Sequence, residues 1–172
     1  MGMRRFVGWI FVLCLVAQLG GCVTSQAPAP LEYLPQPKLD ARIARIYFLR
    51  EKGFIASEVG IKIDGKSVGS VDKGLYFFVD RPPGRYRIAC VNPVSMDYET
   101  DLQIEGGRTY YIGIGIPQVA APGQNLVNQA AGGSSGQQMP ATSPMMSGFS
   151  GAALYLIDAR EGPTVVGQMR PK

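Results

Sequence analysis

The chain contains no histidine, and this narrows the chemistry its side chains can perform. Ser–His–Asp and Cys–His schemes lack their base, and histidine-ligated zinc lacks its donor. Three residue sets remain. Asp64, Asp72 and Asp80 supply carboxylates of the kind a glycosidase pairs across a glycosidic bond. Each stands in a turn sequence, where its oxygens are expected to cap backbone N–H groups instead. Met139, Met145 and Met146 supply thioethers beside Pro140 and Pro144, soft donors that suit Cu(I). Cys22 supplies a thiol directly behind Leu19-Gly20-Gly21. Two glycine-rich stretches add nothing: Gly113-Ile114-Gly115 opens no helix, and Gly132-Gly133-Ser134-Ser135-Gly136 lacks the lysine of a phosphate loop.

Of these sets, Cys22 has the strongest context. Met1-Gly2-Met3-Arg4-Arg5 is a short positive end, followed by the uncharged run FVGWIFVLCLVA from Phe6 to Ala17. A membrane-spanning helix needs about 20 apolar residues, so this run suits the apolar region of a signal peptide. Leu19-Gly20-Gly21-Cys22 resembles the lipobox of bacterial lipoproteins. Small residues before the cut let a peptidase thread the backbone, and the thiol is the nucleophile that takes the lipid. An ordinary secretory signal or a buried helix would share the apolar run. Positive end, run length, small residues and cysteine in this order favour acylation. Arg4-Arg5 lacks the rest of a twin-arginine motif, so the general secretion route is expected. Lipoproteins of this type carry three acyl chains, and two already suffice for stable attachment. In a Gram-negative cell Val23, in place of an aspartate, points to the outer membrane and a periplasm-facing chain.

Removing Arg4 and Arg5 with the signal leaves 15 basic against 13 acidic residues. That balance is too even for a nucleic-acid footprint. Cys14 would leave with the signal and Cys22 would be lipidated, so Cys90 has no partner for a disulfide. It shares a strand face with Tyr86 and Ile88 and is expected to be a buried structural thiol.

The elements that position these residues follow from pattern. Residues 23–39 hold Pro28, Pro30, Pro35 and Pro37 and read as an extended tether of roughly 50 Å. Ile43 to Leu49 is rich in β-branched and aromatic residues. Val59, Ile61 and Ile63 alternate with Gly60, Lys62 and Asp64, the period of a half-buried strand. Asp64-Gly65 makes a tight hairpin into Lys66 to Val71. Lys73-Gly74 turns into Leu75 to Val79, and Asp80-Arg81-Pro82-Pro83-Gly84 makes a rigid corner into Arg85 to Val91. Asp101 to Ile104 and Thr109 to Ile116 add two strands, and Ala152 to Ile157 a last one. Turn signals at this spacing, with 46% hydrophobic residues to fill a core, predict an all-β chain: a small antiparallel β-sandwich, immunoglobulin-like or transthyretin-like, of about seven to eight strands. The expected organisation is a lipoprotein signal peptide over 1–21, lipidated cysteine and tether over 22–41, and a sandwich over 42–116 plus 151–160. Residues 117–150, rich in Pro, Gly, Gln, Ala, Ser and Met, read as a disordered low-complexity insertion, and 161–172 as a tail.

Four blocks are together similar to a known family. Ala44-Arg45-Ile46-Tyr47-Phe48-Leu49-Arg50, Ile63-Asp64-Gly65-Lys66-Ser67-Val68-Gly69, Val79-Asp80-Arg81-Pro82-Pro83-Gly84-Arg85-Tyr86 and Gly107-Arg108-Thr109-Tyr110-Tyr111-Ile112 resemble, in order, domain of unknown function 2846. The likeness covers about residues 42–116 and the strand near 152–158. The Pro-Pro-Gly-x-Tyr corner also looks like that of PEGA-type and transthyretin-like sandwiches. The resemblance implies a sandwich in a bacterial envelope protein and carries no activity with it.

One surface could bind. With Leu75, Phe77 and Val79 facing the core, Tyr76 and Phe78 point outward. Arg85 and Arg87 point away from the Tyr86 face, and a hairpin at the corner would stack them on those rings. The expected function is thus a lipid-anchored envelope module without catalysis, holding a protein, peptidoglycan or glycan partner, with no cofactor, metal or nucleic acid. The alternatives are an envelope hydrolase using Asp and Glu carboxylates on peptidoglycan or glycans, and copper handling by the methionines.

Overall fold

The computed structural model describes residues 39–51, 58–91, 95–118, 134–143 and 151–172. The signal segment, Cys22, nearly all of the tether, Met145 and Met146 lie outside the described residues. Those described form ten strands: β1 (Ala44–Leu49), β2 (Val59–Ile63), β3 (Lys66–Val71), β4 (Leu75–Arg81), β5 (Gly84–Val91), β6 (Tyr98–Ile104), β7 (Thr109–Gly115), β8 (Gln137–Gln138), β9 (Ala153–Ile157) and β10 (Arg170–Pro171). One helix, α1 (Gly162–Gly167), precedes β10.

Alternation decides which side of each strand is buried. Val59, Ile61 and Ile63 are buried while Gly60 and Lys62 are only half so, as period two requires. The turn after β2 has Asp64 at φ 49° and Gly65 at φ 77°, the paired positive angles of a primed turn that matches strand twist. The strands form a six-stranded sheet, order β10-β4-β1-β7-β9-β8, and a four-stranded sheet, order β3-β2-β5-β6. Between them lies one core, with Ile46, Phe48, Ile112, Ile114 and Leu154 from the first sheet. Val59, Ile61, Val71, Ile88, Cys90, Tyr98 and Ile104 come from the second. Each fully buried side chain of this size contributes about 1.5–3 kcal/mol. The all-β sandwich is therefore what this sequence folds into.

The topology adds what local pattern does not contain. β1 pairs antiparallel with β4 and parallel with β7. The chain leaves β1, builds the β2–β3 hairpin in the other sheet, and returns as β4 on one flank of β1. It crosses again to build β5 and β6, then returns as β7 on the other flank. A parallel neighbour needs such a crossover. The Pro-Pro-Gly corner is therefore no hairpin. It carries the chain from one sheet to the other, since β4 pairs with β1 and β5 pairs with β2 and β6.

Two expected boundaries are also corrected. Residues 134–143, read as part of a disordered insertion, pack on the sandwich. β8 pairs with the outer edge of β9, Met139 is buried in the core, and Thr142 donates its N–H to the Glu99 carbonyl at 2.8 Å. The remainder of 117–150 beyond Gln118 lies outside the described residues. The segment 161–172, read as a tail, forms α1 and β10. Val165, Val166 and Met169 rest on Tyr47, Leu49, Tyr111 and Ile157, on the outer side of the larger sheet.

Candidate functional site: an aromatic and ion-paired sheet face

Three adjacent strands, β4, β1 and β7, supply the aromatic and charged part of the outer face of the six-stranded sheet. On β1, Ile46 and Phe48 enter the core, so Arg45 and Tyr47 point the other way. On β4, Phe77 and Val79 pack against the core, which turns Tyr76, Phe78 and Asp80 outward. Register then fixes the neighbours: Arg45 stands opposite Asp80 and Tyr47 opposite Phe78, while Tyr47 faces Tyr111 of β7. Tyr47 is the hub, with ring centres 5.8 Å from Tyr76, 5.4 Å from Phe78 and 5.3 Å from Tyr111. Such cross-strand pairs contribute about 0.5–1.5 kcal/mol beyond area burial.

The charges are as ordered as the rings. Arg45 donates Nε to Asp80 Oδ1 at 2.8 Å and Nη2 to Oδ2 at 2.9 Å, a two-pronged pair of fixed geometry. Its guanidinium carbon lies 4.2 Å from the centre of the Phe78 ring, within cation–π range. The Arg45 hydrogen bonds hold the Asp80 carboxyl below its ordinary range, desolvation opposing and the guanidinium charge assisting. Asp80 raises the Arg45 guanidinium in turn. The pair is thus ionised at neutral pH and has no proton to exchange. Phe78 keeps 46% of its surface exposed, so a ring braced by an arginine is offered to solvent. This arrangement can stack and hydrogen-bond a ligand.

The sequence-predicted residues divide. Tyr76 and Phe78 lie on this face as expected, and the C-terminal segment packs against Tyr76. Arg85 and Arg87 do not join them, because β5 belongs to the other sheet. There they flank Asp101 of β6 at 2.8 Å and 3.3 Å, and the Arg85 hydrogen bond chiefly lowers that carboxyl, with desolvation opposing and the Arg87 hydrogen bond assisting. The expected four-residue patch is therefore not formed. Its cation is Arg45. The signal for it was present: Arg45 and Tyr47 alternate with Ile46 and Phe48.

Other candidate chemistry is committed elsewhere. Asp72 accepts the Lys73 N–H at 2.7 Å, a local turn cap. Asp64 accepts the Arg87 N–H at 2.9 Å, tying the first hairpin to β5. Asp80, expected as a turn cap, is the partner of Arg45. Glu51 accepts from Ser134 Oγ at 2.9 Å, Ser135 N–H at 2.6 Å and Ser135 Oγ at 2.9 Å. Cys90 is buried, its Sγ 3.5 Å from the Ala152 carbonyl, and burial pushes the thiol up to about 12. Met139 packs in the core. Among the described residues no three of His, Cys, Asp and Glu converge on one point. A groove of about 620 Å³ opens beside α1, lined in part by Arg108, Tyr111, Leu156, Asp158 and Glu161.

No curated protein and no solved structure matches the chain. Residues 40–128, just over half of its length, match the family described as "Protein of unknown function (DUF2846)". The corner, the four-stranded sheet and strands β1, β4 and β7 of the larger one lie inside that span, and the chain belongs to the domain of unknown function 2846 family.

Proposed function

We propose that this protein is a lipid-anchored module of the cell envelope that binds a partner and catalyses nothing, its binding surface being the part of the larger sheet's outer face around Phe78 and Arg45 that the C-terminal segment leaves uncovered. The observation that carries the reading is Phe78, exposed and braced from β1 by the Asp80-bound guanidinium of Arg45. Leaving 46% of that side chain in water forgoes part of the about 1.5–3 kcal/mol that full burial contributes, and ordering an arginine over it restrains a side chain with about 2 kcal/mol of rotamer entropy. A surface arranged at that expense fits a flat ligand face with polar edges, such as a sugar ring of peptidoglycan or the side chains of an envelope protein. The anchor is proposed from the positive end, the apolar run and Leu19-Gly20-Gly21-Cys22. In a Gram-negative cell Val23 supports the outer membrane, with the sandwich facing the periplasm.

Crosslinking in intact cells, followed by identification of the captured species, tests the reading. Phe78→Ala and Arg45→Ala should fold and lose capture, while Arg85→Ala, on the other sheet, should keep it. Equal capture by all three would place the binding surface elsewhere. Cys22→Ala should leave an uncleaved, unlipidated precursor by mass spectrometry, and a processed soluble chain would remove the anchor from the proposal.

A further inference from the structure

After β9 the chain folds back along the sandwich. The Asp158 carbonyl accepts from the N–H groups of Glu161 at 3.0 Å and Gly162 at 2.9 Å, turning the chain into α1. Gly162 lies against the Tyr111 ring so closely that a Cβ would overlap it. β10 then runs parallel to β4, with the Arg170 N–H bonded to the Gly74 carbonyl at 3.0 Å and the Lys172 N–H to the Tyr76 carbonyl at 2.9 Å. Lys172 Nζ reaches across to the other sheet. It donates to the Ser70 carbonyl at 3.1 Å and Ser70 Oγ at 2.6 Å, and it pairs with the Glu58 carboxylate.

Two features make this strap separable. α1 has little stability of its own: six residues, GPTVVG, no side-chain cap, no acidic residue in its first turn and no basic one in its last. Glycine and β-branched residues are poor helix formers, and so short a helix holds only by docking. The docking is outside the sandwich core. The inter-sheet cluster draws on no residue of 162–172, and Val165, Val166 and Met169 touch the outer cluster instead. Undocking therefore uncovers Tyr111 and the start of β4 without opening the core.

We propose that the groove filled by residues 169–172 is a strand-acceptor site, with the strap as its resident occupant. A protein partner would displace it with an extended, lysine-bearing segment running parallel to β4. The chemistry of the occupant is read from the strap itself. The Gly74 and Tyr76 carbonyls accept alternate N–H groups of any extended segment, which supplies affinity without sequence preference. Glu58 and the two Ser70 oxygens form an ammonium seat, which supplies preference for lysine. Because the strap is tethered, it competes at an effective concentration near the millimolar range, and the affinity of an outside strand is reduced by the fraction of closed chains. This holds whatever Phe78 binds.

A fluorescent peptide of sequence VVGQMRPK, that of residues 165–172, titrated into the full chain by anisotropy tests it. Gly162→Val, which forces α1 off Tyr111, should raise apparent peptide affinity at least about ten-fold. In that background Glu58→Gln, or methionine for the peptide lysine, should lower it about five-fold or more. Amide exchange should quicken over 162–172 and stay slow over Val59–Ile63 and Tyr98–Ile104. Should Gly162→Val fail to fold, Lys172→Ala replaces it with the same expected direction. Equal peptide affinity in the unaltered and loosened chains, indifference to Glu58→Gln, or protection lost throughout the sandwich would each overturn the proposal.

Discussion

Gly113 and Ser134 occupy positions that exclude a side chain on the first: a Cβ on Gly113 would overlap Ser134 Oγ. The absent side chain leaves room for Ser134, which is 96% buried with only 4% of its surface exposed, and so for the Ser134–Ser135 pair that Glu51 binds. A glycine inside an otherwise apolar strand thus decides where a segment beyond β7 can lie. Gly113→Ala should push Ser134 out of its seat and destabilise by about 1–3 kcal/mol, the usual range for overpacking. Glu51→Gln should weaken the same seat without adding bulk. Amide exchange over residues 134–139 should rise in both variants while β2 and β5 stay protected, and unchanged exchange there would refute the role given to Gly113.

Acid should act on the Arg45–Asp80 pair in a defined direction. Because Arg45 depresses the Asp80 carboxyl in the fold, the pair's contribution is fully present above the unfolded pKa of about 3.9. It is lost as pH falls through the lower folded value. The Asp80 side chain is 37% exposed and that of Arg45 17%, so screening limits the contribution to about 1 kcal/mol or less. Denaturant midpoints for the wild type and Asp80→Asn should differ at pH 6 and converge toward pH 2. A difference that stays constant across that range would mean Asp80 acts by shape rather than charge.

Cys90 should stay unmodified in the native protein. Its thiol is buried and raised to about 12 by desolvation, and the thiolate is the reactive form. Peptide mapping after treatment with a thiol reagent at pH 8 should find Cys90 unlabelled until denaturant is added. Fast native labelling would show that this strand opens.

How much of this was legible follows the range over which each signal acts. The β2 alternation and the Asp64-Gly65 turn are written within a few residues, and both were readable. The destination of β5 was not. Pro82-Pro83-Gly84 reads alike whether the next strand pairs with β4 or crosses to another sheet, and pairing with β2 and β6 is settled by core filling. That is why Arg85 and Arg87 were expected beside Phe78 and stand on the other sheet. Residues 134–139 looked like linker because their composition is polar. Their partner, Glu51, lies 83 residues from Ser134, and no local pattern records it. α1 was missed for the opposite reason: its residues disfavour a helix, and packing on Tyr111 overrides them.

The corner itself is scaffold, and its two key residues should show it. The Tyr86 hydroxyl donates to the Pro82 carbonyl at 3.0 Å, while its ring packs half-buried against the core and lies 3.6 Å from where a Gly84 Cβ would stand. Gly84 has φ 159°, a backbone angle side-chain-bearing residues seldom adopt, so the strain of a substitution comes from the backbone and only ordinary contact from the ring. Gly84→Val should cost about 1–3 kcal/mol. Tyr86→Phe should cost about 0.5–1.5 kcal/mol by losing one hydrogen bond, and Tyr86→Ala about 2–4 kcal/mol by also emptying the ring's site. Because the corner only carries the chain between sheets, the folded fraction of each variant should capture the same crosslinked species as the wild type. A Gly84→Val protein of normal denaturant midpoint that captures nothing would make the corner a recognition loop, and the binding surface would then lie at the sheet junction instead of around Phe78.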